Sequence, residues 1–342
     1  MDLDLFELED EQQEMYEHFR LVADKGQEPV RLDKFIAGHQ ENTSRHRVQL
    51  AIKEGYVFVN DVPAKANYSV RPGDVIRFMM PYERRGVEIL PEDIPLDIVY
   101  EDDDVLVINK PAGMVVHPGH GNYSGTLLNA LAFYLGLDHA PDPDDERLGL
   151  LVHRIDKETS GLLLVAKNQE AHRKLAVQFY AHTIDRVYIA AVWGNITEDD
   201  GTIEGTIGRD PNDRIRYKVM SDPEMGKHAV THDRVLERFG FITVVECRLE
   251  TGRTHQIRVH MASIGHPLFN DERYGGAEIR QGTIYAKYKQ FIQNCFALCP
   301  RQALHARTLG FTHPVTGERL HFEAALPEDM CALIEKWRHY VA

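Results

Sequence analysis

The sequence predicts an α+β protein in two parts: a small N-terminal unit of two helices and a hairpin, then a larger mixed body. Three observations carry this. Between Val30 and about residue 80, two helical stretches are followed by short strand-like runs and turn signals. Residues 83–95 are polar and broken by Pro91 and Pro95, which reads as a linker. Beyond them, strand-like and helical runs intermix without the strict alternation of a doubly wound parallel sheet. With 342 residues, 43% of them hydrophobic, the chain can remove roughly three-quarters of its unfolded surface on folding.

Several classes are excluded at once. Four cysteines (Cys247, Cys295, Cys299, Cys331) are too few for a disulfide scaffold, and their spacing matches no zinc ribbon. Cys295 and Cys299 read as one helical turn of small apolar side chains. There is no apolar run of about 18 residues and no signal-like N-terminus. The expectation is a cytoplasmic protein that meets no membrane and needs no metal. The net charge of −14 argues against a nucleic-acid partner only until it is mapped. Residues 1–28 carry −8, whereas 29–82 carry +3. Counterion release depends on the charge of the contacting face rather than on the chain total.

Taken in order, residues 1–28 read as an acidic, mobile tail with room for one helix. Residues 29–82 form the small module. Arg31 to Ile36 has helical spacing, and Thr43-Ser44 can cap a second helix from Arg45 to Glu54 that stops at Gly55. Tyr56 to Val59 and Val75 to Phe78 read as strands, with a turn at Asn60-Asp61. Arg45, Arg47 and Lys53 are spaced to share a solvent face of the second helix. In the body (96–342), strands are expected at 105–108, 150–152, 162–166, 187–193, around 228–237 and 241–249. Helices are expected at 126–135, about 169–182 and 254–264, then a hairpin turning at Thr316-Gly317-Glu318 and a final helix after Pro327.

Three stretches carry chemistry. His153-Arg154-Ile155-Asp156-Lys157-Glu158-Thr159-Ser160-Gly161 lies between apolar runs read as core strands. Ionisable groups at rigid strand ends are a common way to position an active site. In Leu249 to Met261, Thr254 can cap a helix with Ile257, Met261 and Ile264 on its apolar stripe. Arg258 sits beside that stripe, so a guanidinium drawn inward there needs a carboxylate partner. His255 and His260 are five apart, which does not suit a zinc pair. Asn109 to Gly121, followed by Gly125-Thr126, is glycine-rich, but its spacing is not that of a phosphate-binding loop; it reads as a cleft wall.

Residues 30 to about 80 resemble the alpha-L RNA-binding module, in the segments RLDKF, SRHRVQLAIKEGYVFVNDVPAK and VRPGDVI. That resemblance implies RNA contacts at Arg31, Ser44, Arg45, Arg47 and Lys53, mainly to phosphate and shape. The segments NKPAGMVVHPGHG, HRIDKETSGLLLVAK, RVYIAAVWG, IGRDPNDR, LETGRTHQIRVHMASIGHPLFNDERYGG and LHARTLGFTHPVTGE resemble, in order, the RluA-type pseudouridine synthases. Ile155, Asp210 and Asn270 depart from the usual pattern, and Asn tolerates the positive φ expected at Asn270.

The family resemblance implies a mixed, largely antiparallel central sheet flanked by helices, and isomerisation of uridine to pseudouridine in structured RNA, most of all large-subunit ribosomal RNA. It implies Asp156 as the catalytic aspartate, Arg258 as its partner, Arg154 as a group that holds the flipped nucleotide or fills its gap, and Tyr188 as the ring that stacks on uracil and takes part in proton removal from C5. His117, Arg253 and His255 are assigned to RNA binding on the same basis. No cofactor is implied, the partner is RNA, and a monomer is expected. The residues alone leave two alternatives: an RNA glycosidase or hydrolase pairing Asp156 with a histidine or with Glu158, the latter sharing a face with it if both lay on a strand, and a non-catalytic RNA-binding factor.

Overall fold

A computed structural model describes residues 16–39, 45–80, 90–118, 122–137, 151–283 and 285–342. The chain divides into two compact units, Met1–Gly86 and Val87–Ala342.

In the N-terminal unit, β1 (Tyr16–Val22), β2 (Val30–Arg31), α1 (Leu32–His39), α2 (Arg45–Lys53), β3 (Val57–Val59), β4 (Val62–Pro63), β5 (Ser69–Val70) and β6 (Val75–Met80) follow one another. Strands β1, β6, β3 and β4 form one antiparallel sheet in that order, and β2 pairs with β5. Leu32, Phe35 and Ile36 of α1 and Val48 and Ile52 of α2 bury their side chains against Val57, Val59, Ile76 and Phe78. The turn at Asn60-Asp61 has both residues at positive φ, 48° and 68°, as a two-residue hairpin requires. Gly55, at φ 81°, follows the second helix as expected.

The tail reading of 1–28 does not hold for its second half. Tyr16–Val22 is a strand paired with β6 from Tyr16↔Met80 to Val22↔Val75, and Phe19, Leu21 and Ala23 pack on the module's core. The first fifteen positions, and the Thr43-Ser44 cap, lie outside the described residues.

The body is built on one ten-stranded sheet. Its strands are β7 (Ile98–Glu101), β8 (Val105–Lys110), β9 (Ser160–Ala166), β10 (Asp185–Trp193), β11 (Asp200–Asp210), β12 (Asp213–Met220), β13 (Lys227–Arg238), β14 (Ile242–Leu249), β15 (Leu304–Thr312) and β16 (Arg319–Glu323). The order is β12-β11-β13-β14-β10-β15-β9-β8-β7, with β16 on β15. The β15–β9 pair is parallel and the other described pairs are antiparallel.

Helices α3 (Leu127–Tyr134), α4 (Gln169–Tyr180), α5 (Gln256–Ser263), α6 (Ala286–Leu298) and α7 (Glu328–Val341) cover the sheet. The period of two in the strands decides which face each helix takes. Leu106, Ile108, Leu163, Val165, Tyr188, Ala190 and Val192 point to α3 and α5. Their alternates Val105, Val107, Leu162 and Leu164 meet α4, and Ile189, Ala191 and Trp193 meet α6 and α7. The expected α+β class is what the structure has, and Cys295 and Cys299 are buried in the α6–α7 core.

Several local expectations are corrected. Residues 90–95, assigned to the linker, pack on the body: the Glu92 carboxylate accepts from the Gly125 N–H at 3.1 Å, and Asn129 Nδ2 donates to the Leu90 carbonyl at 2.8 Å. The strand expected at 150–152 is only an isolated bridge, Leu151↔Val165. Thr254 does not cap α5: its N-cap is His255, in the left-handed region with no side-chain cap bond. Ile264 is 44% exposed and falls off the apolar stripe. Strands β11 and β12 were not anticipated, because few of their side chains are buried and no period of two shows.

Candidate active site

Residues from five segments converge on one cavity of about 600 Å³: the 152–159 loop, the end of α4 with the start of β10, the 249–253 loop, α5 with its N-cap, and Leu304 at the start of β15. Loop 152–159 leads into β9, whose residues are all buried. Gly161 sits at φ 114°, and a Cβ there would lie 2.2 Å from the Ala306 carbonyl oxygen, so the close parallel pairing of β9 with β15 requires glycine. Backbone carbonyls of the loop are gripped by two buried cations. Lys110 Nζ donates to the carbonyls of Pro111, Met114 and Lys157 at 2.7, 2.9 and 3.1 Å, and Arg301 Nη1 donates to that of Glu158 at 3.0 Å. Burial brings Lys110 down to about 7 despite the charges of Glu158 and Asp156.

Asp156 lies at the tip of this supported loop. Its Oδ2 accepts from Arg258 Nη1 at 2.9 Å. The same guanidinium donates through Nε and Nη2 to both oxygens of Asp271, at 2.7 and 2.9 Å. Asp271 is fully buried and also accepts from the N–H groups of Arg273 and Tyr274. Burial opposes the charge on Arg258, but the bonds and charges of Asp271 and then Asp156 outweigh it and push its pKa up. Arg258 is thereby fixed on one carboxylate and presents its remaining arm to another.

His255 Nε2 stands 3.8 Å from Asp156 Oδ1, and its Nδ1 is 2.8 Å from the Tyr274 hydroxyl. Burial holds His255 near pH 4 against the pull of Asp156, so it is neutral at physiological pH. Tyr188 is buried on the α5 face of β10 and lines the cavity. Burial raises its pKa, with Arg186 opposing and Asp156 assisting, so its phenol stays protonated. The 251–253 loop is organised by the buried amide of Gln256. It accepts from Thr251 Oγ1 and the Arg253 N–H at 2.7 and 3.0 Å, and donates to the Val230 carbonyl and Thr231 Oγ1 at 2.9 and 3.0 Å.

Of the residues singled out in the sequence, Asp156, Tyr188, Arg258, Arg154, Arg253 and His255 all line this cavity. His117 does not, although the charge of Arg154 reaches it. Glu158 is absent from the lining too, and 152–158 is loop rather than strand. The geometry that would have paired Glu158 with Asp156 is therefore missing.

In the N-terminal unit, Arg31 and Arg45 bind the fully buried Asp33 carboxylate, at 3.1 and 2.9 Å. Lys53 is exposed. Arg47 is on α2, and its side chain, like all of Ser44, lies outside the described residues. Sequence reasoning missed Asp271, Lys110 and Arg186. Their one signal was position inside the quoted segments, since a charged residue's burial does not show in its identity.

Among the described residues, Asp102, Asp104 and His313 bring possible ligand atoms within 4.8 Å of one another. His313 Nδ1 accepts from the N–H groups of Val315 and Thr316, which leaves the proton on Nε2, 2.9 Å from Asp102 Oδ2. That is an internal contact of the body, and these residues do not line the cavity. No described helix is long and apolar enough to cross a membrane.

The model of the RNA pseudouridylate synthases matches residues 104–263, and that of the S4 domain matches 30–76. An uncharacterised RNA pseudouridine synthase of Bacillus subtilis (strain 168) is 48% identical over 322 residues, covering 93% of this chain and 97% of the relative. This chain belongs to the RNA pseudouridine synthases. The family read from the motifs is thus borne out, and so is its isomerase activity.

The synthase also resembles a ribosomal large subunit pseudouridine synthase D of Neisseria meningitidis (serogroup A, serotype 4A), at 45% identity over 90% of this chain and 79% of the relative. The solved structure of human RNA pseudouridylate synthase domain containing 1 matches the synthase with a TM-score of 0.51 at 25% identity, over 72% of this chain and 96% of that one.

Proposed function

We propose that the synthase acts on uridine in large-subunit ribosomal RNA, with Asp156 as the group that works on the sugar of the everted nucleotide. The observation that carries the assignment of Asp156 is its place at the tip of a braced loop, in a cavity, held by Arg258 from α5. Isomerisation breaks N1–C1′, forms C5–C1′, removes the proton from C5 and returns one to N1. Asp156, held by the Arg258 guanidinium at 2.9 Å, is suited to attack C1′ or to assist loss of a sugar proton. The phenol of Tyr188 is neutral, so it stacks and positions the uracil rather than serving as a resting-state base. Arg154, exposed at the cavity rim, is placed to hold the everted nucleotide or fill its gap.

The choice of RNA is supported by the S4-domain match, by the excess of cationic groups in the cavity, and by the name of the Neisseria relative. Lys53 and Arg47 on α2 and Arg31 and Arg45 around Asp33 are the module's RNA contacts in this reading. In the body, Arg253 and His255 in the cavity, and His117 near Arg154, serve the same end. In this reading the synthase works as a monomer in the cytoplasm, where ribosomal RNA is made. The test is to map pseudouridine in large-subunit ribosomal RNA from cells lacking the protein. At least one position should be lost, restored by the wild type and not by Asp156→Asn. An unchanged map would refute the ribosomal assignment.

A further inference from the structure

The cavity holds more positive charge than its pairing uses. Arg154, Arg186, Arg253 and Arg258 line it against one carboxylate, Asp156. Arg258 is occupied by Asp156 and Asp271. Arg154 is exposed and solvated, and Arg253 Nε donates to the His228 carbonyl at 2.9 Å. Arg186 is in a different position. It is 7% exposed, and among the described residues no hydrogen bond or ion pair satisfies its guanidinium, whose Nε is buried without an acceptor. The neighbouring carboxylate of Asp185 is taken by Arg319.

The surroundings of Arg186 fit a waiting cation rather than a packed one. Its guanidinium lies 5.5 Å from the centre of the Phe179 ring. It also occupies space that a side chain at residue 252 would fill: a Cβ on Gly252 would lie 2.5 Å from its Nη1. Burial most of all, and then Arg253, disfavour its charge; Tyr188 opposes them, and no carboxylate does. Keeping a guanidinium dry and unpaired costs folding free energy, which a ligand carrying the missing anion would recover. Tyr188 feels both Arg186 and Asp156, so an anion at Arg186 is near the ring assigned to the uracil.

We propose that Arg186, with Arg253 beside it, forms a buried subsite for one phosphodiester group flanking the target uridine. This rests on the reading of the cavity as the uridine site. A guanidinium suits the purpose because its fork matches phosphate oxygens and keeps its charge when desolvated. Such an anchor fixes the strand at the point where the nucleotide leaves it.

The test uses the full-length protein and an oligoribonucleotide copied from large-subunit ribosomal RNA around a uridine that the purified wild type modifies. Two further oligoribonucleotides carry a single neutral methylphosphonate on the 5′ or the 3′ side of that uridine. The wild type should lose about ten- to hundredfold in kcat/KM on one of the two. Arg186→Gln should show that loss on the unmodified RNA, mainly through KM, and be indifferent to the methylphosphonate. Its dependence of log kcat/KM on log salt should be shallower by about 0.7, and Arg186→Lys should recover part of the loss. Because an unpaired charge has been removed, the melting temperature of Arg186→Gln should equal or exceed that of the wild type.

Arg186→Gln that stays as sensitive to the methylphosphonate as the wild type would overturn the proposal, as would a lowered melting temperature with unchanged KM. A wild type that forms no pseudouridine in any ribosomal RNA fragment would instead remove the reading beneath it, and the subsite with it.

Discussion

Asp33 in the N-terminal unit and Arg258 in the body are mirror images in charge. Asp33 is a buried carboxylate that accepts from Arg31, Arg45 and Gln49. Arg258 is a buried guanidinium that donates to Asp271 and Asp156. The difference lies in the partners. The side chains of Arg31 and Arg45 are 48% and 46% exposed, so each can turn to water if Asp33 is lost. Arg258 is 7% exposed and Asp271 not at all, so neither can turn to water. The first arrangement ties a module together while leaving its arginines half exposed to solvent. The second gives up all freedom to hold one acid still.

That contrast is testable by removing the carboxylate from each. Asp271→Asn leaves the buried Arg258 guanidinium with Asp156 as its one remaining carboxylate and should cost about 3–5 kcal/mol, read as a lower urea midpoint by tryptophan fluorescence. Both tryptophans, Trp193 and Trp337, are core residues of the body, so the signal reports that unit alone. Activity should fall as well, because Arg258 loses the bidentate brace that aims it at Asp156. Asp33→Asn removes bonds to half-exposed cations and should cost the smaller sum of about 1–3 kcal/mol, read as faster hydrogen exchange across residues 16–80. Equal losses in the two variants would erase the distinction.

The two units should also respond to acid at different points. In the body, burial first of all holds His153, His255, His260 and His305 at about 3 to 4. Each is neutral when folded but takes a proton when unfolded below its ordinary value of about 6.5. The unfolded state therefore binds more protons, and stability falls as pH drops from that value towards 4. Between pH 7 and 6 the loss is about 0.5–1 kcal/mol per histidine, visible as a falling urea midpoint in tryptophan fluorescence.

In the N-terminal unit burial raises the pKa of Asp33, but the bonds from Arg31, Gln49 and Arg45 outweigh it and hold it well below the carboxylate range. Its contribution is complete above the usual carboxylate value and is lost only as pH falls below it. Hydrogen-exchange protection factors in 16–80, corrected for the intrinsic pH dependence of amide exchange, should be unchanged over the interval in which the body weakens.

The same contrast explains how much of the molecule was legible in the sequence. Turns and stops that depend on backbone freedom, such as Asn60-Asp61 and Gly55, were read correctly because the residue type itself encodes the conformation. Arg258 was legible as an inward guanidinium because it flanks an apolar stripe with a 3.6-residue period, and its need for an acid followed from physics. Its second acid was not, since Asp271 is separated from it by a turn whose geometry only the folded chain supplies. The strand at Tyr16–Val22 was hidden by the acidic residues around it, although Phe19 and Leu21 already alternate. The unpaired state of Arg186 is invisible in principle, because absence of a partner is a property of three-dimensional surroundings.

The central claim is that the carboxylate of Asp156 performs the chemistry while Arg258 only holds it. Single-turnover pseudouridine formation by Asp156→Asn, measured beside its RNA affinity, tests this most directly. Arg258 keeps Asp271 in that variant, so the fold should survive. The expected result is no detectable pseudouridine, with RNA bound within about threefold of the wild type. An Asn variant that still isomerises uridine at a comparable rate would contradict the account.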